Sequence, residues 1–267
     1  MIKLQINDYP AIYELYKSGG VGSFFPLIGA VLSGVQDGEV YADNVAKPGQ
    51  FYVEHCFGFA QIFGEPQKRF EDALENYFIR ANFAVPKVRL YAPYFPKFLR
   101  SATWEEVRSF RQRFVIDAPG LSRLQSPKFR QWSDLTITEV SNKNIVVLDQ
   151  CFGVAKRFWR DHADFIQHSN AVVSLYKGQP AAICYAAAVS NRRVEIDMLT
   201  LPEFRQLGAG KLAVINFVHF CFAKSLFPLW DCFTNNAGSV QLSRSAGFVT
   251  SGEPYPFFTI NKKQAPT

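Results

Sequence analysis

Glu195-Ile-Asp-Met-Leu-Thr-Leu-Pro-Glu-Phe-Arg205-Gln-Leu-Gly208-Ala-Gly210-Lys211 reads as a strand, a short turn, and then an arginine and two glycines opening an apolar helix. Glycine has no Cβ, so backbone N–H groups beside it can approach a ligand closely. A helix N-terminus adds unpaired donors and partial positive charge. Together these features make a cradle for a pyrophosphate. The stretch is not a Walker A loop, because the lysine-serine/threonine pair is missing. It is not the dinucleotide fingerprint either, because the third glycine is missing.

Upstream, Ala171–Tyr176, Pro180–Val189 and Val194–Leu201 are apolar runs separated by the polar turns Lys177-Gly178-Gln179 and Ser190-Asn191-Arg192-Arg193. Such spacing predicts an antiparallel meander. Downstream, residues 211–224 contain no glycine or proline and predict a buried helix. Pro228–Phe233 reads as a compact strand, and Asn235-Asn236 as a turn that caps a further helix. That helix holds Ser239, Val240, Leu242 and Ser243, ends at Ala246-Gly247, and leads into a last strand at Phe248.

The order Arg205-x-x-Gly208-x-Gly210 resembles the acetyl-coenzyme A loop of the GCN5-related N-acetyltransferase (GNAT) superfamily, Arg/Gln-x-x-Gly-x-Gly/Ala. Asn236, Ser239, Leu242, Ser243, Gly247 and Phe248 match the spacing of a second motif frequent in that family, Asn-x-x-Ala-x-x-Leu-Tyr-x-x-x-Gly-Phe. Glu195-Ile196, Trp230-Asp231-Cys232, and the run from Tyr41-Ala-Asp43 through Phe57–Gly64 are similar to the two-lobed zwittermicin-resistance-type acetyltransferases. The resemblance is specific over residues 171–250 and loose before about residue 135. It implies an α/β (α+β) GNAT fold, a mixed and mostly antiparallel sheet flanked by helices, preceded by a degenerate GNAT-like N-terminal lobe. It also implies acetyl-coenzyme A as co-substrate and direct transfer, in a ternary complex, to a primary amine of a small molecule.

By the same resemblance, the main chain of Met198, Leu199 and Thr200 meets pantetheine. Arg205, Gln206, Leu207, Gly208, Ala209, Gly210 and Lys211 meet pyrophosphate, and Asn236 and Ser239 complete the set. Asn236 is equally a helix cap. Acetyl transfer needs a base for the amine and a donor for the oxyanion. Glu195 and Asp197 lie two apart on one strand and so share a face. By its offset from the loop, Glu195 resembles the family's catalytic glutamate most closely; Asp197 is the second choice. The alternative is that one of them pairs with Arg192 or Arg193. Ser243 stands where the family often has a tyrosine acid, so the leaving thiolate takes its proton from Ser243 or from water. Asp231 either holds a cationic substrate or pairs with a neighbouring base. The missing tyrosine leaves open a second class of function, a non-catalytic acyl-coenzyme A-binding or interaction protein on the same scaffold.

Residues 1–118 repeat the order of helices, meander, helix and strand, with Ala11–Lys17 and Phe24–Leu32 helical, strand-like runs at Glu39–Ala42, Gln50–Cys56 and Phe57–Phe63, a helix near Gln67–Arg80 and a strand at Val88–Tyr91. Their turn at Gly64-Glu-Pro-Gln67 lacks the Arg-x-x-Gly-x-Gly pattern, and Glu65 would repel phosphate, so no cofactor is assigned there. Residues 119–134, rich in proline, glycine and serine, read as a linker, and residues 135–267 as the catalytic domain.

The chain has 267 residues and 48% apolar residues, which excludes wholesale disorder. No run is long enough to span a bilayer, and the opening Met1–Asp8 carries no signal-peptide pattern, so a cytoplasmic protein with no membrane partner is expected. Five scattered cysteines, with all but Cys56 in segments read as core or helix, suit reduced, buried thiols. None of the four histidines has a partner at metal-ligand spacing, so no metal is expected. The net charge of +6 is concentrated in residues 97–130, where eight basic side chains face three acidic ones. The spacing there follows no nucleic-acid motif, so nucleic acid is disfavoured as a partner. A homodimer is left open.

Overall fold

The computed structural model describes residues 1–19, 23–117, 120, 122, 124 and 134–262. It divides into two compact units, residues 1–111 with 254–267, and residues 112–253. In chain order the first contributes β1 (Ile2–Lys3), α1 (Tyr9–Ser18), α2 (Pro26–Leu32), β2 (Gly38–Ala42), β3 (Gln50–His55), β4 (Phe59–Gly64), α3 (Lys68–Ile79), β5 (Lys87–Tyr91), α4 (Ala102–Glu105) and the start of β6 (Arg108–Ile116). The second holds the rest of β6, then β7 (Leu135–Glu139), α5 (Ile145–Phe152), α6 (Ala155–Phe158), α7 (His162–His168), β8 (Val172–Tyr176), β9 (Gln179–Ser190), β10 (Arg193–Thr200), α8 (Ala209–Ala223), β11 (Phe227–Phe233), α9 (Ala237–Ser245) and β12 (Phe248–Thr250). A final strand, β13 (Tyr255–Asn261), returns to the first unit.

In the first unit the strand order is β1-β2-β3-β4-β5-β13-β6. Only β4 and β5 pair in parallel; the other pairs are antiparallel. In the second the order is β7-β8-β9-β10-β11-β6, with β12 also on β6. There β10 and β11 pair in parallel, and β7–β8, β8–β9, β9–β10 and β12–β6 are antiparallel. Both units therefore contain an antiparallel meander, a helix, and a strand parallel to the meander's last member: β2-β3-β4-α3-β5 and β8-β9-β10-α8-β11. The β8–β9 and β9–β10 hairpins turn through positive φ at Lys177-Gly178 (48° and 83°) and Asn191-Arg192 (47° and 59°), as two-residue loops matched to strand twist require.

This division differs from the boundaries read in the sequence, which kept residues 254–267 in the second part. β13 pairs with β5 and β6, so the C-terminal strand belongs to the first unit. Pro254 and Pro256 hide it from local reading, since proline cannot donate to a ladder. β7 and the helices α5 to α7 were likewise not foreseen. Most of the expected linker, 119–134, lies outside the described residues.

α8 is apolar on nearly all sides because it is buried, packing on β8 and β9. Phe217 and Val218 are completely enclosed, and burial of such side chains stabilises by about 1.5–3 kcal/mol each. Of the five thiols, Cys184, Cys221 and Cys232 are buried; Cys151, expected inside, is exposed on α5, and Cys56, just after β3, is exposed too. Burial pushes the Cys221 thiol up to about 12.

In the first unit, His55 is fully enclosed. Its Nδ1 accepts from the Phe57 N–H at 2.9 Å, and its Nε2 lies 3.2 Å from Gln36 Oε1, which fixes the neutral tautomer with Nε2 protonated. Burial pushes its pKa from 6.5 down to about 4. The unfolded chain therefore binds the proton first, and stability falls with pH between about 6.5 and 4, by about 3 kcal/mol in total. Thermal melts at pH 7 and pH 4 should show this extra acid loss in the native protein and not in His55→Gln.

Candidate active site

β10 follows β9 along its whole length, from Arg193 opposite Ser190 to Thr200 opposite Ala182. Its parallel register with β11 covers only Arg193–Glu195 against Phe227–Leu229. Where that pairing ends, the β9 register shifts: Glu195 faces Ala188 and Ile196 faces Ala186, leaving Ala187 as an extra residue. Such a bulge bends the ladder. Beyond it, Ile196–Thr200 leave β11. Main-chain donors and acceptors on an opened strand edge require new partners.

The chain then turns through a short 3-10 segment, Pro202–Phe204, with the Phe204 ring 5.9 Å from that of Tyr176. Gln206 and Gly208 take positive φ, 66° and 86°. Gly208 is the N-cap of α8, and the first ladder bond runs from the Leu212 N–H to Gly208 O at 3.0 Å. The N–H groups of the first turn thus precede the ladder. The buried Ser174 hydroxyl donates to Ala209 O at 2.9 Å and pins this end of the helix to β8. A Cβ on Gly210 would stand 2.6 Å from Thr200 Oγ1 and 3.0 Å from Met198 Cε, so glycine lets α8 approach β10. Arg205, Gln206 and Leu207 are exposed, Ala209 and Gly210 buried. Burial lowers the pKa of Lys211.

The corresponding turn of the first unit is sealed by protein groups. The Gln67 N–H donates to Gln50 Oε1 at 2.7 Å, and the Glu65 N–H donates to Gly49 O at 2.8 Å. Gly64, at φ 97°, lies so close to Gly49 that a Cβ would meet its carbonyl oxygen at 2.2 Å.

Val194, Ile196 and Met198 pack in the core with α8. Alternation then puts Glu195, Asp197 and Leu199 on the opposite face. Glu195 is 4% exposed and sits at the bulge. Asp197 lies opposite Tyr185, whose hydroxyl donates to Asp197 Oδ2. Arg157 Nη1, from α6, reaches the same oxygen at 2.9 Å. Burial first, and then the Asp197 charge, hold the Tyr185 phenol well above its usual pKa, so it stays a donor. The anticipated partner Arg192 instead donates to Ser225 O at 3.0 Å and lies over Phe227.

The α9 residues take structural bonds. Asn236 Oδ1 accepts from the Ser239 N–H at 3.1 Å, which is its capping role. Ser239 Oγ accepts from the buried Trp230 Nε1 at 3.1 Å. Ser243 is fully enclosed and donates to Val240 O at 2.9 Å, so the structure does not present its hydroxyl as an exposed acid. Asp231 is paired, with Oδ2 3.7 Å from Arg113 Nε and both side chains buried. Alternation against Trp230 and Cys232 places Asp231 on the Glu195 face of the sheet.

The basic stretch is similarly engaged: Arg108 pairs with Glu105, Arg111 lies over Phe257 and Arg100 over Phe95. Arg123, Lys128 and Arg130 lie outside the described residues. Sequence reasoning missed Arg157, Tyr185 and Arg113. Tyr185 had a signal, as the only aromatic residue in Ala181–Ala188.

A family model described as GNAT acetyltransferase matches residues 25–258. The chain is 24% identical over 238 residues to an uncharacterized N-acetyltransferase, YdfB, of Bacillus subtilis (strain 168), covering 84% of this chain and 86% of that one. Its fold is similar to that of a GCN5-related N-acetyltransferase-like protein from Streptococcus suis 89/1591 (TM-score 0.66, 17% identity, 94% and 98% of the two chains). It is also similar to that of a tandem GNAT protein from the clavulanic acid biosynthesis pathway (TM-score 0.62, 10% identity, 98% of each chain). Among the described residues, no helix is long and apolar enough to cross a membrane.

Proposed function

From the premise that the chain belongs to the GNAT acetyltransferase family, we propose that it transfers the acetyl group of acetyl-coenzyme A to a primary amine of a small molecule. The observation that carries this reading is the departure of β10 from β11 beside the glycine turn. The turn offers helix N-terminal donors to a pyrophosphate. The opened edge at Met198, Leu199 and Thr200 offers main-chain partners to the amide groups of pantetheine. Gly210, where a Cβ would collide with Thr200, keeps the two within reach of one ligand.

Glu195 takes the proton from the amine, directly or through water. The amine nitrogen then bonds to the thioester carbonyl carbon. A main-chain N–H of β10 stabilises the oxyanion. The carbon–sulfur bond breaks, and the thiolate takes its proton from water, because the Ser243 proton is committed to Val240. The sealed turn of the first unit gives it no coenzyme.

The test is a panel of primary amines with the purified protein and acetyl-coenzyme A, following free thiol and N-acetylated product together. Product that requires both components supports the proposal. Coenzyme binding without product on any amine would favour a non-catalytic acyl-coenzyme A-binding protein.

A further inference from the structure

The clamp on Asp197 is one-sided. Tyr185 and Arg157 both reach Oδ2, and among the described residues none donates to Oδ1. The side chain of Asp197 is 25% exposed and that of Arg157 37%. This carboxylate is therefore held through one oxygen, on a side chain that is partly open to solvent. It stands on the face that carries Glu195, on the part of β10 that has left β11. Two residues along a strand separate the two positions by about 6–7 Å.

Resting on the reading of Glu195 as the base, we propose that Asp197 is a specificity residue for the acceptor. Its Oδ1 accepts a hydrogen bond from a second donor group, hydroxyl or amine, carried about 6–7 Å from the reacting nitrogen. The favoured substrates are then amino alcohols or diamines rather than simple alkylamines or aminocarboxylates. An aminocarboxylate would place its charge against Oδ1, and a simple alkylamine would leave Oδ1 without a partner.

Asp197→Asn tests the assignment sharply. Arg157 donates only and already meets Oδ2 at 2.9 Å, so the amide keeps its oxygen towards that guanidinium and turns its NH2 towards the acceptor. An ammonium would then face the NH2 as donor against donor, whereas a hydroxyl would have to turn round and accept.

The experiment compares butylamine, 4-aminobutan-1-ol, butane-1,4-diamine and 4-aminobutanoate. The native protein should show kcat/KM for the amino alcohol or the diamine about 10–100-fold above butylamine, the range for a hydrogen bond to a charged group. The arm that is larger identifies hydroxyl or ammonium as the donor. In Asp197→Asn the diamine's advantage should fall to near one, chiefly through KM, while the amino alcohol, whose hydroxyl can accept from the amide, keeps part of its own. Calorimetric titration of the same amines without any acyl donor should show the same loss of discrimination. This arm remains informative if acetyl-coenzyme A does not bind, so failure of the coenzyme reading is distinguishable from failure of this one.

Equal kcat/KM for butylamine and the donor-bearing amines in the native protein would overturn the proposal, whatever the variant's stability. So would preference for 4-aminobutanoate, or an Asn variant that weakens every amine equally.

Discussion

Glu195→Gln lowers kcat/KM for amine acetylation by about 10²–10⁴-fold, the usual contribution of a positioned general base. Affinity for acetyl-coenzyme A stays unchanged, because the side chain faces away from α8 and its glycine turn. The substitution keeps shape and volume, so the loss reads as chemistry. Glu195 sits where the ladder to β11 ends and the β9 register shifts, at the start of the opened edge. Asp197 lies further along and is already held by Tyr185 and Arg157. A variant within threefold of the native rate would assign the proton to another group or to bulk water.

Gly208→Glu abolishes binding of acetyl-coenzyme A. Two effects add. The glycine holds φ at 86°, and a residue with a Cβ in that region costs about 1–3 kcal/mol. The new carboxylate also stands at the N-cap of α8, where the phosphates would sit. At about 4 Å a like charge near the surface costs about 4 kcal/mol, roughly a thousandfold in affinity. Gly208→Ala separates the terms, since it keeps the strain and omits the charge. It should weaken binding by about tenfold and leave the melting temperature within a few degrees. Equal Kd values for the native protein and Gly208→Glu would place the coenzyme elsewhere.

Local chemistry made much of the second unit legible. The turns at Lys177-Gly178 and Asn191-Arg192, the glycines of the α8 cap, and the Asn236 cap each announce themselves over a few residues. The expected strand Val194–Leu201 appears as Arg193–Thr200 and the expected helix as Ala209–Ala223. The Ser243 position was legible as a departure from the family pattern, but not its burial, which depends on packing around α9.

What local reading misses is pairing across long separations. β13 joins β5 through a register of Phe257 against Tyr91, and its aromatic, β-branched run is masked by Pro254 and Pro256. Arg157 finds Asp197, and Arg113 finds Asp231, from elements far away in the chain. An arginine and an aspartate announce charge, but only the fold decides which pairs meet. The bulge at Ala187 belongs to the same class, since an alanine run gives no hint of where a register will shift.

The most direct test of the central claim is a calorimetric titration of the purified protein with acetyl-coenzyme A, with Gly208→Glu alongside. The account predicts one saturable site per chain in the native protein and no measurable binding in the variant. No heat of binding in the native protein, or equal binding in both, would contradict it.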